Sequence, residues 1–539
     1  MRKTLEICLN SPLYTLTTCS NAIDAMIKFE QNKYDLLIFD ILMPGITGLE
    51  LRNLVRAKSK NIPIILLTAK VDDSQGSLLR EITSDRNTYY QNKNFKKSDL
   101  IILINHIMAM VQYERERENY YSEIENDISQ AGTIQRAIIP NWVSLNYNIF
   151  SERFYRPYME ITGDVFNTFK LSSKSYLIII GDISGHGIQS ALCMTAVYNA
   201  IVDFLWNSSL EDIQPHEVLN RMQRFFDDID TLHYMTCLVA ILNLETNQFS
   251  YQSAGHPDFI FYSFSQGFFS SSNSKVGNLP VGMIPKTTYS AKDNVILTLP
   301  KDSIIYGYTD GLTDLQNENG ESFSIKLLKD AISSSDKRGG CYNSLYRVMD
   351  LIFKTGYQRI TDDITLISIL PVHPNECTIV SNSYAFTETS AIYIVPPQLL
   401  EIDSFATSAY NWILAKTNSE QLGFKAQLLL SEFLNNIVIH GLNSIEGRSP
   451  VILICLQLSS VSQQKQLFIR IFDKGVSWDL SFENTSNKDV DILNEHHVDH
   501  GRGIFLIKNL ADGVSRTRLA DELNETIFNI YYDNPETDH

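Results

Sequence analysis

The chain has 539 residues, more than a single hydrophobic core sustains, so about three or four domains are expected. With 44% hydrophobic and 20% charged residues it has the composition of a folded soluble protein. A formal net charge of −17 speaks against a nucleic-acid backbone as partner, since like charges repel; it suits solubility or a basic protein partner.

Seven cysteines are scattered along the chain, odd in number and never in CxxC spacing. They read as reduced small hydrophobes, not as bridges or zinc ligands. Met1-Arg2-Lys3 is followed by Glu6, which leaves no apolar leader core. No run approaches the ~20 apolar residues that span a bilayer. A cytoplasmic protein with no membrane segment is expected.

Residues 1–105 alternate apolar runs with helical patterns, the signature of a parallel sheet with crossover helices. LEICL reads as a short helical piece, YTLTT as a strand and NAIDAMIKFEQN as an amphipathic helix. YDLLIFD is a buried strand ending at Asp40, and IPIILLT another ending at Thr68. FDILMPGITG, LLTAK and QNKNF together resemble response-regulator receiver domains of flavodoxin-like fold. The resemblance makes Asp40 the phosphoacceptor, Thr68 the switch hydroxyl and Lys93 the phosphate-binding lysine, with an upstream sensor histidine kinase as phosphodonor. Asn94 stands where a proline usually follows that lysine. The first strand of such domains, with the acidic pair that holds magnesium, has no counterpart before LEICL. Without it the phosphoryl charge at Asp40 is poorly compensated, and the sheet is expected to carry an interior gap. Either the reading frame continues upstream of Met1, or the domain is degenerate and serves docking or dimerisation. The persistence of Asp40, Thr68 and Lys93 favours the first.

Residues 106–140 read as a helical linker. A 4-3 spacing runs from Leu103 through Ile107, Met110, Glu114, Arg117, Tyr121, Ile124, Ile128, Ala131 and Gln135 to Ile138, which predicts a coiled-coil seam weakened in its middle. It can join two chains into a homodimer or pack on a neighbouring domain. Pro140 ends it.

Residues 141–372 mix strands with helices and place aspartates at strand ends. Asp164 lies in ITGDVF, Asp182 follows YLIIIG, Asp310 follows SIIYGYT, and Asp362-Asp363 opens ITLISIL. Any one of these is usually a turn or cap. Four in one domain suit hard divalent ions, and two such ions about 3.5–4 Å apart activate water and neutralise a phosphate ester. ITGDVF, GDISGHGIQSAL, SAGHPDFIFY, LPVG, YTDGLTD and DDITL resemble, in order and spacing, the PPM (PP2C-like) phosphatases of the SpoIIE/RsbU group. The resemblance implies an α/β/β/α sandwich with two Mn2+ or Mg2+ ions and action on phosphoserine or phosphothreonine. Asp182 would bridge the ions with the carbonyl of Ile183, and Asp164, Asp310 and Asp362 would complete the shell, with Asp363 adjacent. His186 reads as a general acid or a core histidine, with a loop-shaping role favoured, and His256 as structural. Asn167 departs from an aspartate often found there. ISQAGTIQRAIIP resembles the helix that leads into these phosphatases and transmits regulation.

Residues 373–394 read as a linker, and residues 395–535 as a last domain. In LLLSEFLNNIVIHG, Glu432, Asn436 and His440 recur at helical spacing on one face, by default no more than a polar stripe. IRIFDKG adds Asp473 and Gly475, and GRGIFLI adds Gly501 and Gly503 at a helix start, where backbone amides cradle phosphates. Together they resemble the GHKL ATPase fold of anti-sigma-factor serine kinases. That likeness implies ATP with Mg2+. Glu432 would polarise a serine hydroxyl, Asn436 would bind magnesium, Asp473 would accept from the adenine amino group, and Gly501 and Gly503 would contact phosphates.

The expected function is thus a signal-controlled phosphatase acting on a phosphorylated STAS-domain anti-sigma factor antagonist, opposed by its own kinase-like domain. The alternatives are a phosphatase whose last domain only sequesters a sigma factor or antagonist, and a catalytically dead scaffold.

Overall fold

The computed structural model describes residues 1–69, 85–229, 231–270, 278–336, 344–372, 378–381, 384–386, 389–442, 450–461, 464–476, 478, 506–507 and 509–532. The chain forms two compact units, Met1–Asp127 and Ile128–His539.

In the first unit three parallel strands, β1 (Leu37–Asp40), β2 (Ile64–Thr68) and β3 (Thr88–Asn92), lie side by side in that order. Helices Ala22–Gln31 and Gly48–Lys58 cover one face through Ala22, Leu51 and Val55. Leu100, Ile104 and Ile107, from the start of helix Lys97–Ile138, cover the other. Thr47 and Glu50 form a capping box that fixes where helix Gly48–Lys58 begins. YTLTT, expected as a strand, forms none. Among the described residues β1 pairs with β2 alone, so the expected interior gap becomes a sheet edge instead. The linker helix is exposed on every side over residues 112–123, with Tyr113, Tyr120 and Tyr121 among its exposed side chains.

In the second unit the strands are β4 (Val143–Asn146), β5 (Ile149–Arg156), β6 (Asp164–Lys170), β7 (Ser175–Ile183), β8 (Met235–Asn243), β9 (Gln248–Ala254), β10 (Ile260–Ser263), β11 (Gly267–Phe269), β12 (Val295–Thr298), β13 (Ser303–Tyr308) and β14 (Ile364–Pro371). They build two sheets, ordered β11-β10-β13-β14-β5-β4 and β12-β9-β8-β7-β6. Ile178, Ile180, Leu238, Phe261, Ile305 and Ile367 interleave between the sheets. Helices Ile188–Trp206 and Pro215–Ile229 pack outside the β7 sheet, and Ile325–Asp336 and Leu345–Lys354 outside the β13 sheet. The result is the expected α/β/β/α sandwich. Among the described residues, helix Ile188–Trp206 is long and apolar enough to cross a membrane by length and composition. Here Met194, Val197 and Ile201 bury one of its faces in the core.

The C-terminal part continues with β15 (Thr378–Ser381), β16 (Tyr384–Phe386), β17 (Ser390–Val395), β18 (Ile452–Val461), β19 (Gln464–Asp473), β20 (Gly513–Arg518) and β21 (Asn524–Tyr532), ordered β15-β16-β17-β18-β19-β21-β20. The stretch 373–394, expected as a linker, therefore supplies strands, because β17 offers a free edge on which they add. Helices Leu399–Thr417 and Glu420–Asn436 cover one face of this sheet. Its other face brings Leu453, Cys455 and Phe472 into one core with Tyr346, Val348 and Ile352 of the sandwich. Beside that seam Arg347 pairs with Glu525, and Lys474 lies 2.7 Å from Asp521 and over the Tyr346 ring.

Candidate active site

The apolar run YLIIIG drives β7 through the middle of its sheet and delivers Asp182 at its end, directly opposite Asp164, the first residue of β6. From the facing sheet, β13 leads into Asp310, and Asp362-Asp363 immediately precedes β14, its hydrogen-bonded neighbour. Both pairs of strands therefore present aspartates at the same end of the sandwich. Threonines tie the sheets together there: Thr309 Oγ1 and Thr365 Oγ1 donate to Asp164 Oδ2 at 3.1 and 2.5 Å.

Asp363 has a different task from its neighbour. Its Oδ1 accepts from Tyr158 N (2.7 Å), and its Oδ2 accepts from Thr162 Oγ1 (2.7 Å) and Gly163 N (3.0 Å). Both oxygens are spent on holding the loop before β6, so the structure does not offer Asp363 as a ligand in the way it offers Asp362. Thr162 Oγ1 also accepts from Asp164 N at 2.9 Å. Behind this loop Gln135 of the linker helix, 5% exposed, donates to Thr162 O (2.7 Å) and accepts from Thr162 N (2.9 Å). Gly132 brings the helix close: a β-carbon there would sit 2.5 Å from the Glu160 carbonyl.

The electrostatics call for a cation. Burial, then the charges of Asp310, Asp362 and Asp363, push Asp182 up to about 8. Burial, then Asp182 and Asp363, raises Asp164 well above the carboxylate range. Asp310 and Asp362 are raised too, each chiefly by burial. Asp164 Oδ1 is buried with no hydrogen-bond partner. A β-carbon on Gly163 would come within 3.2 Å of Asp182 Oδ1 and 3.1 Å of the Ile183 carbonyl, so glycine keeps open the space where those two oxygens meet. Among the described residues no three acidic or imidazole groups already converge at ligand distance, so the carboxylates surround the space without closing on it. Hard oxygen donors, an orphaned carboxylate oxygen and a glycine-kept cavity fit magnesium or manganese.

His186 is exposed, packs edge-on against Tyr158 and lies near enough to Asp362 to lower that carboxyl's pKa. His256 is buried against Thr236 Oγ1 (2.9 Å), and burial pushes it down to about 3, so it stays neutral in the core. Asn167 points instead to Tyr198, donating to its hydroxyl at 2.9 Å. Gln135, Thr162, Thr309 and Thr365 carry parts of the site that sequence reading did not assign. Each threonine lies within three residues of a motif aspartate, which was the available signal.

In the first unit Lys93 Nζ lies 2.6 Å from Asp40 Oδ1, with Thr68 ending the strand between theirs. In the C-terminal part Glu432 and Asn436 share a helix, but the next turn, Ile437–Gly441, widens to π-helical geometry. His440 therefore leaves the regular stripe on which it was expected. Asp473 is fully buried at the end of β19, where Gly475 N and Asn524 Nδ2 each donate to its Oδ1 at 2.9 Å and Arg516 lies against its Oδ2. Gly501 and Gly503 lie outside the described residues.

Three domain profiles match the chain: the response regulator receiver domain over residues 1–105, Stage II sporulation protein E (SpoIIE) over 172–370, and the histidine kinase-like ATPase domain over 398–530. The chain joins a receiver domain, a SpoIIE-type PPM phosphatase domain and a histidine-kinase-like ATPase domain. Among curated relatives, the phosphoserine phosphatase RsbU of Bacillus subtilis is 28% identical over 272 residues, covering 49% of this chain and 76% of RsbU. The phosphoserine phosphatase RsbP of the same organism is 24% identical over 193 residues, covering 34% of this chain and 44% of RsbP. The solved RsbU and RsbW domains of a Mycobacterium tuberculosis protein cover 73% of this chain and 97% of theirs, at 15% identity and a TM-score of 0.36. A score that low adds nothing to the fold assignment.

Proposed function

We propose that this protein is a metal-dependent serine/threonine protein phosphatase whose substrate is a phosphorylated STAS-domain antagonist of an anti-sigma factor, controlled by its receiver. The observation that carries this reading is the cluster of Asp164, Asp182, Asp310 and Asp362 at one end of both sheets, held open by Gly163 and short of positive charge. Asp164, Asp182, Asp310 and Asp362 would hold the ions with the Ile183 carbonyl. The bound metal supplies an activated water and neutralises phosphate charge. Asp363 and Thr162 fix the loop that borders the site, and His186, exposed beside Asp362, would serve as a general acid or shape that loop. Asp182→Asn should abolish manganese-dependent phosphate release from a phosphoserine protein; retained activity overturns the metal-site assignment.

The named activities of RsbU and RsbP support the substrate class. The 1–105, 106–140, 141–372, 373–394 and 395–535 divisions frame the regulation: a sensor histidine kinase would phosphorylate Asp40, and the linker helix, through its exposed stretch, would form a homodimer. A cytoplasmic site of action suits all three domains.

The C-terminal domain is proposed to bind ATP with Mg2+ and to act as a serine kinase in opposition. The second reading is that it binds a sigma factor or antagonist without phosphorylating it, favoured by the internal partners of Asp473. Incubation with ATP and a STAS antagonist separates them: phosphate incorporation that disappears in Glu432→Ala supports the kinase, and incorporation that survives it excludes Glu432 from the reaction.

A further inference from the structure

An adenine amino group bound by Asp473 needs a carboxylate oxygen to accept its proton. Asp473 Oδ1 is already taken by the protein's own donors, and Oδ2, which has no hydrogen-bond partner, is faced by a guanidinium. Asp473 Oδ1 accepts from Gly475 N and Asn524 Nδ2 at 2.9 Å and from Arg516 Nη2 at 3.3 Å. Asp473 Oδ2 lies 3.1 Å from Arg516 Nη1, and both side chains are almost wholly buried, at 0% and 3% exposure. Arg516 Nη1 also donates to Thr526 Oγ1 at 2.6 Å. The guanidinium lies 4.2 Å from the centre of the Trp478 ring and 5.7 Å from that of Phe433.

We propose that Arg516 is a resident occupant of the base end of the C-terminal nucleotide site, so that adenine enters only when its guanidinium leaves Asp473 and Trp478. The inference rests on reading this domain as a nucleotide site. The chemistry of the two occupants is similar. A guanidinium presents flat N–H donors to a carboxylate and lays its plane on aromatic rings, as the amino edge and face of a purine do. The oxygen left for the amino group is Oδ2, and the guanidinium lies against it at 3.1 Å. Removing one partner from a buried ion pair is costly, so the guanidinium leaves only as the purine takes over its contacts. Apparent affinity for the nucleotide then falls by the fraction of molecules in the open state. The same residue that grips Asp473 would then set how much ATP is needed before the domain becomes nucleotide-bound.

The test is calorimetric titration of the full chain with Mg·ATP, comparing the wild type with Arg516→Gln, and Arg516→Lys as a second variant that keeps the charge but loses the flat fork. Arg516→Gln is expected to bind ATP about tenfold more tightly or better, with Arg516→Lys between the two. In the wild type, ATP should change tryptophan emission as the guanidinium leaves the indole, and Trp478→Phe should remove that change. This readout needs no variant at Arg516. Equal or weaker binding by a folded Arg516→Gln chain, or wild-type binding with no Trp478-dependent change in emission, overturns the proposal while leaving the nucleotide site standing. Absence of binding in both wild type and Arg516→Gln overturns the nucleotide reading and this inference with it.

Discussion

Gln135→Ala tests how the linker helix reaches the phosphatase site. The change removes the donor to Thr162 O and the acceptor from Thr162 N, at 2.7 and 2.9 Å, and a longer contact to Ala191 O at 3.4 Å. Thr162 is fully buried, so its amide and carbonyl are left without these partners. Each orphaned group costs about 1–3 kcal/mol, so a loss of about 2–5 kcal/mol is the upper range before water or small shifts recover part of it. The loss falls on Thr162, whose hydroxyl bonds Asp363 and caps the Asp164 amide. Catalytic geometry off by about 1 Å can reduce rate about 100-fold. We expect kcat for manganese-dependent release of phosphate from a phosphoserine protein to fall about ten- to a hundredfold, with a lower unfolding midpoint. Gln135→Glu keeps the acceptor but loses the donor and adds a charge beside acidic groups, so it should be at least as damaging. A Gln135→Ala chain with wild-type kcat and melting temperature would refute the coupling of this helix to the site.

The carboxylate cluster predicts a pH dependence. Asp182 is raised from 3.8 to about 8 in the folded, metal-free chain, so the folded state holds a proton that the unfolded state releases. That contribution is complete at low pH and is lost as pH rises through the folded value. His256, which stays neutral when folded and opposes folding only in acid, is silent above pH 6.5. In a chelator, the melting temperature should therefore fall between pH 6.5 and 8, by at most about 1.4 kcal/mol of stability per pH unit per proton, and manganese should reverse the fall; a flat profile argues against the buried acid. Gly132→Val places side-chain atoms against the Glu160 carbonyl and should destabilise by about 1–3 kcal/mol, read by thermal melting, with reduced kcat as the loop moves. Arg347→Ala leaves Glu525 buried without this partner, and should lower the unfolding of the phosphatase and ATPase parts together by about 3–5 kcal/mol, read as one shifted transition in calorimetry.

The sequence was enough to find the four aspartates, because short motifs with glycine and a strand end state both backbone geometry and chemistry. The layers of the sandwich came with the family resemblance that those motifs carry, not with the alternation of apolar residues. The sequence could not separate Asp362 from Asp363: adjacent identical residues point opposite ways only once β14 is placed, and then one carboxylate faces the site while the other holds the loop. Nor could it show that residues 373–394 add strands to β17, which is settled by which edge is open. Arg516 carried no motif at all, and it meets Asp473 across a separation of 43 residues only because β20 and β19 flank β21 in the sheet. Local chemistry is written in neighbouring residues. Pairing across strands depends on register, which the folded sheet alone decides.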